Sequence, residues 1–418
     1  MDNNLESNLG SGMDYRNTSA NDLHIGGVPL ALLAERVGQT PFYAYDRALV
    51  AARIAAVRQA LPPGVLLHYA LKANPMPALV GFMRPLVDGM DVASVGELKL
   101  ALDAGTPAQS IGFAGPGKRD AELRQAVAAG VLLQVESVRE LRVLAEASQA
   151  LGLPARVALR INPDFALRGA GMHMGGGAKP FGIDAEQVPA LLRDWAGRAG
   201  DGLAFEGFHV FPGSQNLRAG VIAESLQRSL ELVLRLAADA PAPVRQVNLG
   251  GGWGIAYSPG DKALDLAPIT DALARVQAQL LRAQPSAHLV VELGRYLVGE
   301  AGIYVARVID RKVSRGQVFL VVDGGMHHHL AASGNFGQVI RRNYPVAIAQ
   351  HLSAPVLECE TVSIVGPLCT PLDLLADRVE LPVAQPGDWV VIFQSGAYGA
   401  TASPQVFLGH PACIEVLV

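Results

Sequence analysis

The chain has 418 residues, half of them hydrophobic, which is too long for one small core and fits a large domain plus a smaller one. A formal net charge of −4 with scattered Lys and Arg excludes an electrostatic surface for nucleic acid. The three cysteines, Cys359, Cys369 and Cys413, form no C-x-x-C pair, which argues against a disulfide framework or a zinc ribbon and for a reducing, cytoplasmic setting.

Residues 1–23 are polar and lack the basic start and apolar run of a signal peptide, so a disordered tail is expected. No stretch approaches the ~18 uninterrupted apolar residues of a spanning helix, and no membrane partner is expected. Residues 24–46 hold a strand-like run, Phe42–Tyr45, expected to join a later β domain. From 47 to 296 a short apolar run, a turn and an Ala/Leu-rich helical stretch recur. The strand-like runs are Leu66–Leu71, Met90–Ala93, Ile111–Ala114, Leu132–Val135, Arg156–Ile161, Leu203–Val210, Gln246–Leu249 and Leu289–Leu293. Segments such as Val95–Asp103, Ala121–Ala129 and Val138–Leu151 have helical spacing. Strands alternating with helices imply an α/β fold of parallel strands joined by right-handed crossovers. Eight such units predict a closed (β/α)8 barrel of the TIM type; the alternative is an open, doubly wound sheet. From 297 to 418 helical periodicity fades. Gly302–Ile309, Val318–Val322, Thr361–Val365 and Trp389–Phe393 predict a C-terminal, mostly-β domain, a small barrel in form.

In such a barrel the active site lies at the C-terminal ends of the strands. Lys72 closes the first strand in HYALKANP, where a lysine is awkward to bury unless paired or neutral; a Schiff-base lysine fits, and a lysine snorkelling to the rim is the plain alternative. The seventh strand ends in Gly250-Gly251-Gly252-Trp253-Gly254, whose backbone can wrap a phosphate or simply make a tight turn. It is not the G-x-G-x-x-G of a dinucleotide site. The eighth ends in Glu292-Leu293-Gly294-Arg295. Glu292 could bond the protonated ring nitrogen of pyridoxal phosphate and Arg295 could pair with phosphate, or the two could form an ion pair at the domain junction. In HVFPGS, Phe211 could stack on a flat ring and Ser214 could donate to phosphate. Cys369 in GPLCTPLD and Tyr398 in SGAYGA lie in Gly/Pro-flanked segments. His327-His328-His329 is read as strand, where neighbours point to opposite faces, so no metal site is expected.

Taken in order, HYALKANP, DVASVGEL, FAGPGK, HVFPGSQ, NLGGGWG, ELGRYLV, VDGGMHH, GPLCTPLD and SGAYG resemble the fold-type III pyridoxal-phosphate decarboxylases, the group of ornithine, arginine and diaminopimelate decarboxylases, from about residue 40 to the C-terminus. The wording is most similar to the exosortase A system-associated branch, tied to exopolysaccharide gene clusters, with decarboxylases of a carrier-tethered glutamyl group as near relatives. The resemblance implies a pyridoxal-phosphate lyase with Lys72 as the Schiff-base lysine. It assigns Gly251, Gly252 and Arg295 to the phosphate, with hydroxyls from Ser214 and Tyr398, Glu292 to the pyridine nitrogen, and Gly294 to the cofactor site. Asp91, Glu97, Arg160 and His209 match pocket positions. Cys369 resembles a cysteine that enters from the other subunit and helps reprotonate the substrate carbon, which implies a homodimer with shared sites. Asp323, Arg341, Arg342, Tyr344 and Thr370 are the candidates for the substrate end.

Three departures matter. Phe211 stands where relatives carry a ring-stacking His and supplies no proton. Leu293 replaces the usual Pro. Thr370 follows Cys369 where relatives place Asp or Glu against a distal amine; losing that charge-assisted bond costs about 2 kcal/mol or more. Ornithine, lysine and diaminopimelate are therefore expected to be poor substrates, while Arg341 and Arg342 could meet a carboxylate or phosphate, or be solvated surface charge. The rival readings are a diaminopimelate decarboxylase, a racemase of the alanine racemase type, against which Glu292 speaks, and a cofactor- or carrier-binding protein without activity.

Overall fold

The computed structural model of the chain describes residues 23–166, 172–197, 200–258, 260–336, 341–352 and 358–418. It divides into two compact units. One comprises residues 54–254 and 264–294; the other comprises the segment up to 53, with 255–263 and 295–418.

The first unit is built on eight parallel strands: β1 (Leu66–Ala70), β2 (Gly89–Val92), β3 (Ile111–Phe113), β4 (Leu132–Val135), β5 (Ala155–Asn162), β6 (Leu203–Val210), β7 (Gln246–Gly251) and β8 (His288–Leu293). The pairing runs β5-β6-β7-β8-β1-β2-β3-β4 and closes through β4 with β5, so the sheet is a barrel and not an open, doubly wound layer. Helices follow the first seven strands: α1 (Pro77–Met83), α2 (Val95–Asp103), α3 (Asp120–Ala129), α4 (Val138–Leu151), α5 (Val188–Ala196), α6 (Ala219–Ala237) and α7 (Ala267–Ala283). Two of them start on a shared device. Ser94 accepts from Glu97 N–H while Glu97 accepts from Ala93 N–H, and Ser137 and Glu140 repeat this with Glu136 N–H. Such reciprocal caps satisfy donors the helix leaves open, each worth about 1 kcal/mol. On α4 the buried side chains Leu141, Leu144, Ala147 and Ser148 recur at spacings of three and four, the stripe that docks it on the barrel.

The second unit is a mixed sheet: β9 (Gly302–Ser314), β10 (Gln317–Val322), β11 (Val346–Ile348), β12 (Cys359–Val365), β13 (Leu374–Pro382), β14 (Trp389–Ile392) and β15 (Ile414–Leu417), in the order β11-β14-β9-β10-β12-β13. Phe42–Tyr45 joins it between β9, antiparallel, and β15, parallel. Its core gathers Ile25, Leu30, Leu33, Phe42, Ile303, Val305, Val391 and Phe393. Burial of each such side chain is worth about 1.5–3 kcal/mol.

The boundaries differ from the expected 24–46, 47–296 and 297–418. Residues 47–53 go with the β unit because Arg47 N–H bonds Val418 and Arg53 pairs with Glu300. The expected tail falls on residues 1–22, outside the described residues, and on Leu23, which is 4% exposed and accepts from Leu30 N–H.

Candidate active site

Lys72 lies in the 3-10 turn Leu71–Ala73 that closes β1. The turn is pressed close to the end of β8: a Cβ on Gly294 would stand 2.9 Å from Ala73 Cβ. The lysine side chain is 43% exposed, so its amine reaches the barrel mouth, with Nζ 3.8 Å from Glu292 Oε1 and 5.3 Å from the centre of the Phe211 ring. Glu292 itself is buried. Burial, then the Asp91 charge, pushes its carboxyl pKa up; Lys72, Arg160 and His68 oppose this. His209 Nε2 lies 3.5 Å from Glu292 Oε2. Burial first, then the Arg160 and Lys72 charges, holds the His209 imidazole well below its ordinary pKa, so it faces Glu292 neutral.

The glycine turn after β7 explains where Phe211 sits. Gly250 has φ 67°, and a Cβ there would stand 2.4 Å from the Phe211 ring. A Cβ on Gly251 would meet Glu292 O at 2.3 Å, and one on Gly252 (φ 68°) would meet Gly213 O at 2.1 Å. Only a side-chain-free backbone passes here. Gly251 and Gly252, with Pro212, Gly213, Asn216 and Ser225, line a small cavity. Ser214 is next to Gly213 on a short extended segment.

Other polar residues form a network that the sequence did not reveal. Asp91 binds His68 Nδ1 at 3.1 Å and Gln134 Nε2 at 3.0 Å. Arg160 pairs with Glu136 at 2.8 Å, and Glu136 also accepts from Gly115 N–H and Gly182 N–H. Lys118, its side chain 1% exposed, lies 3.2 Å from Glu140 and donates to the Gly115 and Gln134 carbonyls. Burial pulls this lysine's pKa down and pushes that of Glu140 up, while their mutual attraction works against both shifts. Left unpaired, either charge would cost several kcal/mol. Glu97, half-buried, has a raised pKa, burial outweighing its bond from Ala93 N–H.

In the β unit Arg295 donates to Tyr257 at 2.7 Å and packs over the Tyr257 and Tyr398 rings, 5.4 and 4.6 Å from their centres. The Tyr344 ring packs tilted against that of Tyr257, their centres 4.6 Å apart. Tyr398 has φ 55°. Cys369 is exposed, in a loop clasped by buried Asp373, which accepts from Leu368 N–H and Met326 N–H. Thr370 Oγ1 accepts from Leu372 N–H. Asp323 has both oxygens engaged, by Thr40 and by Arg307 N–H. Arg341 donates to the Leu374 carbonyl, and Arg342 pairs with Asp261 at 3.3 Å with most of its side chain exposed. The three histidines are corrected: they lie in a turn, not a strand, and all are buried. His328 bonds the Pro411 carbonyl and His329 bonds Ser395. Among the described residues no group of His, Cys, Asp or Glu is arranged to hold a metal.

The barrel cluster thus offers an amine, a buried carboxylate, an aromatic face and a glycine-rich backbone turn, complements for an aldehyde, a ring nitrogen, a flat ring and an anion bound by backbone N–H groups. A family model, the pyridoxal-binding domain of pyridoxal-dependent decarboxylases, matches residues 47–299. The chain is 41% identical to an L-glutamyl-[BtrI acyl-carrier protein] decarboxylase of Niallia circulans, over 91% of this chain and 89% of that one. It is 34% identical to diaminopimelate decarboxylase of Aquifex aeolicus, over 97% and 92%. Diaminopimelate decarboxylase of M. jannaschii with L-lysine superposes with a TM-score of 0.85 at 26% identity, covering 97% of this chain and 94% of that one. The chain therefore belongs to the pyridoxal-dependent decarboxylases of fold type III, enzymes that act on amino acids, free or carrier-linked, with pyridoxal phosphate as cofactor.

Proposed function

We propose that the enzyme removes the α-carboxylate, as CO2, from an amino acid without a distal ammonium, delivered as a glutamyl-type group on an acyl carrier. The observation that carries this is Thr370. In GPLCTPLD it stands where diamino-acid decarboxylases of the resembled group place an acid, and its hydroxyl is spent on its own turn. Identity of 41% to a decarboxylase of a carrier-borne glutamyl group supports the same reading.

Pyridoxal phosphate supplies an aldehyde for the lysine and a ring that accepts the electron pair left by the departing carboxylate. Lys72 is the amine that holds the aldehyde. Glu292 would accept from the ring nitrogen and keep the ring cationic, and Phe211 would offer its face to the ring. Gly251, Gly252, Ser214, Arg295 and Tyr398 are assigned to the phosphate, and Gly294 to the cofactor site. Arg160, Asp91, Glu97 and His209 keep charges and dipoles fixed around Lys72 and Glu292. Arg341, with Tyr344 and Arg342, is assigned to the acyl or phosphate end of the substrate. Cys369 returns a proton to the α-carbon; its exposure in the single chain supports a site completed by a second copy, hence a homodimer. The motif wording supports a role in exopolysaccharide biosynthesis, and the three sparse cysteines support a reducing, cytoplasmic setting.

The test is CO2 release from free and carrier-linked amino acids. Carrier-linked glutamate is expected to react, with ornithine, lysine and diaminopimelate poor. Thr370→Asp is expected to raise diamino-acid turnover by roughly tenfold, since the restored bond is worth about 2 kcal/mol before desolvation. Faster release from free diaminopimelate would make the enzyme a diaminopimelate decarboxylase, and racemisation without CO2 would contradict the reaction.

A further inference from the structure

His68 lies on β1, four residues before Lys72, and is 4% exposed. The reading above gives it no task. In the sheet register it sits opposite Glu292 on β8 and opposite Gly89 on β2. Its Nδ1 is 3.1 Å from Asp91 Oδ2, while Asp91 Oδ1 accepts from Gln134 at 3.0 Å. Two glycines make room for this layer. A Cβ on Gly89 would stand 2.5 Å from His68 Nε2, and one on Gly112 would stand 2.3 Å from Asp91 Oδ1 and 2.7 Å from Gln134 Nε2. Apolar side chains would fill the same barrel layer without the cost of desolvating polar groups, so stability does not account for it.

The charges facing this layer come from several strands. β2 and its approach bring Asp91 and Asp88, β8 brings Glu292, β5 brings Arg160, β6 brings neutral His209, and the end of β1 brings Lys72. Asp91 and Glu292 are buried carboxylates on the two strands that flank β1, and the Asp91 charge pushes Glu292 toward the protonated form. His68 stands between them. Burial alone would lower its pKa; the charge and hydrogen bond of Asp91, with Glu292 and Asp88, raise it on balance.

We propose that His68 is a positioning residue for Glu292: as an imidazolium clasped by Asp91, it cancels the Asp91 charge and lets Glu292 remain the anion that the cofactor's ring nitrogen needs. The inference rests on the assignment of Glu292 to that nitrogen. Without His68, Asp91 faces Glu292 uncompensated, Glu292 takes up a proton at higher pH, and its hold on a protonated ring nitrogen weakens.

Two measurements test this. In wild-type protein with isotope-labelled histidine, NMR is expected to show the His68 ring titrating above the usual histidine value of about 6.5; a ring that titrates at or below that value overturns the proposal, and this needs no variant. Second, the affinities of wild type and His68→Gln are compared for pyridoxal phosphate and for its 1-deaza analogue, in which carbon replaces the ring nitrogen. The variant is expected to lose about tenfold for pyridoxal phosphate, the equivalent of one pKa unit, and to hold the analogue within about twofold of wild type. An equal loss for both shows a merely structural role and overturns the proposal, as does no loss. Wild-type protein that binds both cofactors alike sinks the Glu292 assignment and the proposal with it; wild-type discrimination unchanged in His68→Gln sinks the His68 proposal alone.

Discussion

The two units handle polar groups in opposite ways. The barrel pairs its charges across neighbouring elements: Lys118 with Glu140, Arg160 with Glu136 and His68 with Asp91 in the interior, and Lys72 with Glu292 at the mouth. The β unit spends its buried carboxylates, Asp46 and Asp373, on backbone N–H groups instead, and fills its centre with rings. Tyr43, Tyr304 and His329 pack ring against ring, and burial pushes both phenols well above and the His329 imidazole down to about 3. Its candidate groups, Cys369, Thr370 and Arg295, sit on connections between strands, shaped by Asp373 and Tyr257. A barrel interior that holds fixed charges can stabilise charge in a bound ring without reorganising, whereas carboxylates spent on backbone N–H groups hold loops in place.

Glu292→Gln attacks the barrel side of this contrast most directly. It keeps the shape and removes the anion, and is expected to lower kcat by about 10²–10³ with little change in thermal midpoint. A loss below about fivefold would mean that the buried charge is not used in the reaction. Gly112→Ala breaks the layer sterically, since the new methyl meets Asp91 and Gln134. Such overpacking is expected to cost about 1–3 kcal/mol, read from denaturant midpoints. An unchanged midpoint would show that the polar layer gives way easily.

The β unit is expected to respond to acid instead. Folded His329 has a pKa of about 3, against an unfolded value near 6.5, so the unfolded chain binds the proton more readily. The stability tied to this group is complete above about pH 6.5 and is lost as pH falls from there toward 3, at up to about 1.4 kcal/mol per pH unit. Following denaturant midpoints between pH 7 and 4, His329→Phe is expected to show a shallower loss than wild type; an identical slope would place the acid sensitivity elsewhere.

The barrel was legible because each buried strand is a compact apolar run ending in a turn, and Lys72 and Glu292 stood out as charges closing such runs. Their partners were not. His68 opens the very motif that holds Lys72, yet it, Gln134, Lys118 and Glu140 carry no signal of pairing in the sequence, and only the folded barrel shows which groups they meet; the glycines inside β2 and β3 were the available hint. In the β unit β13 went unseen because Asp377, Arg378 and Glu380 break up its apolar run. β11, three residues long, had no pattern to read. The histidine triplet was misread as strand because turn and strand cannot be told apart over three residues.

The central claim concerns the Lys72 amine, and chemical trapping tests it most directly. Holoenzyme is reduced with borohydride, digested and mapped by mass spectrometry. The expected result is a single phosphopyridoxyl adduct on Lys72; an adduct on another lysine, or none on protein that still releases CO2, would contradict the account.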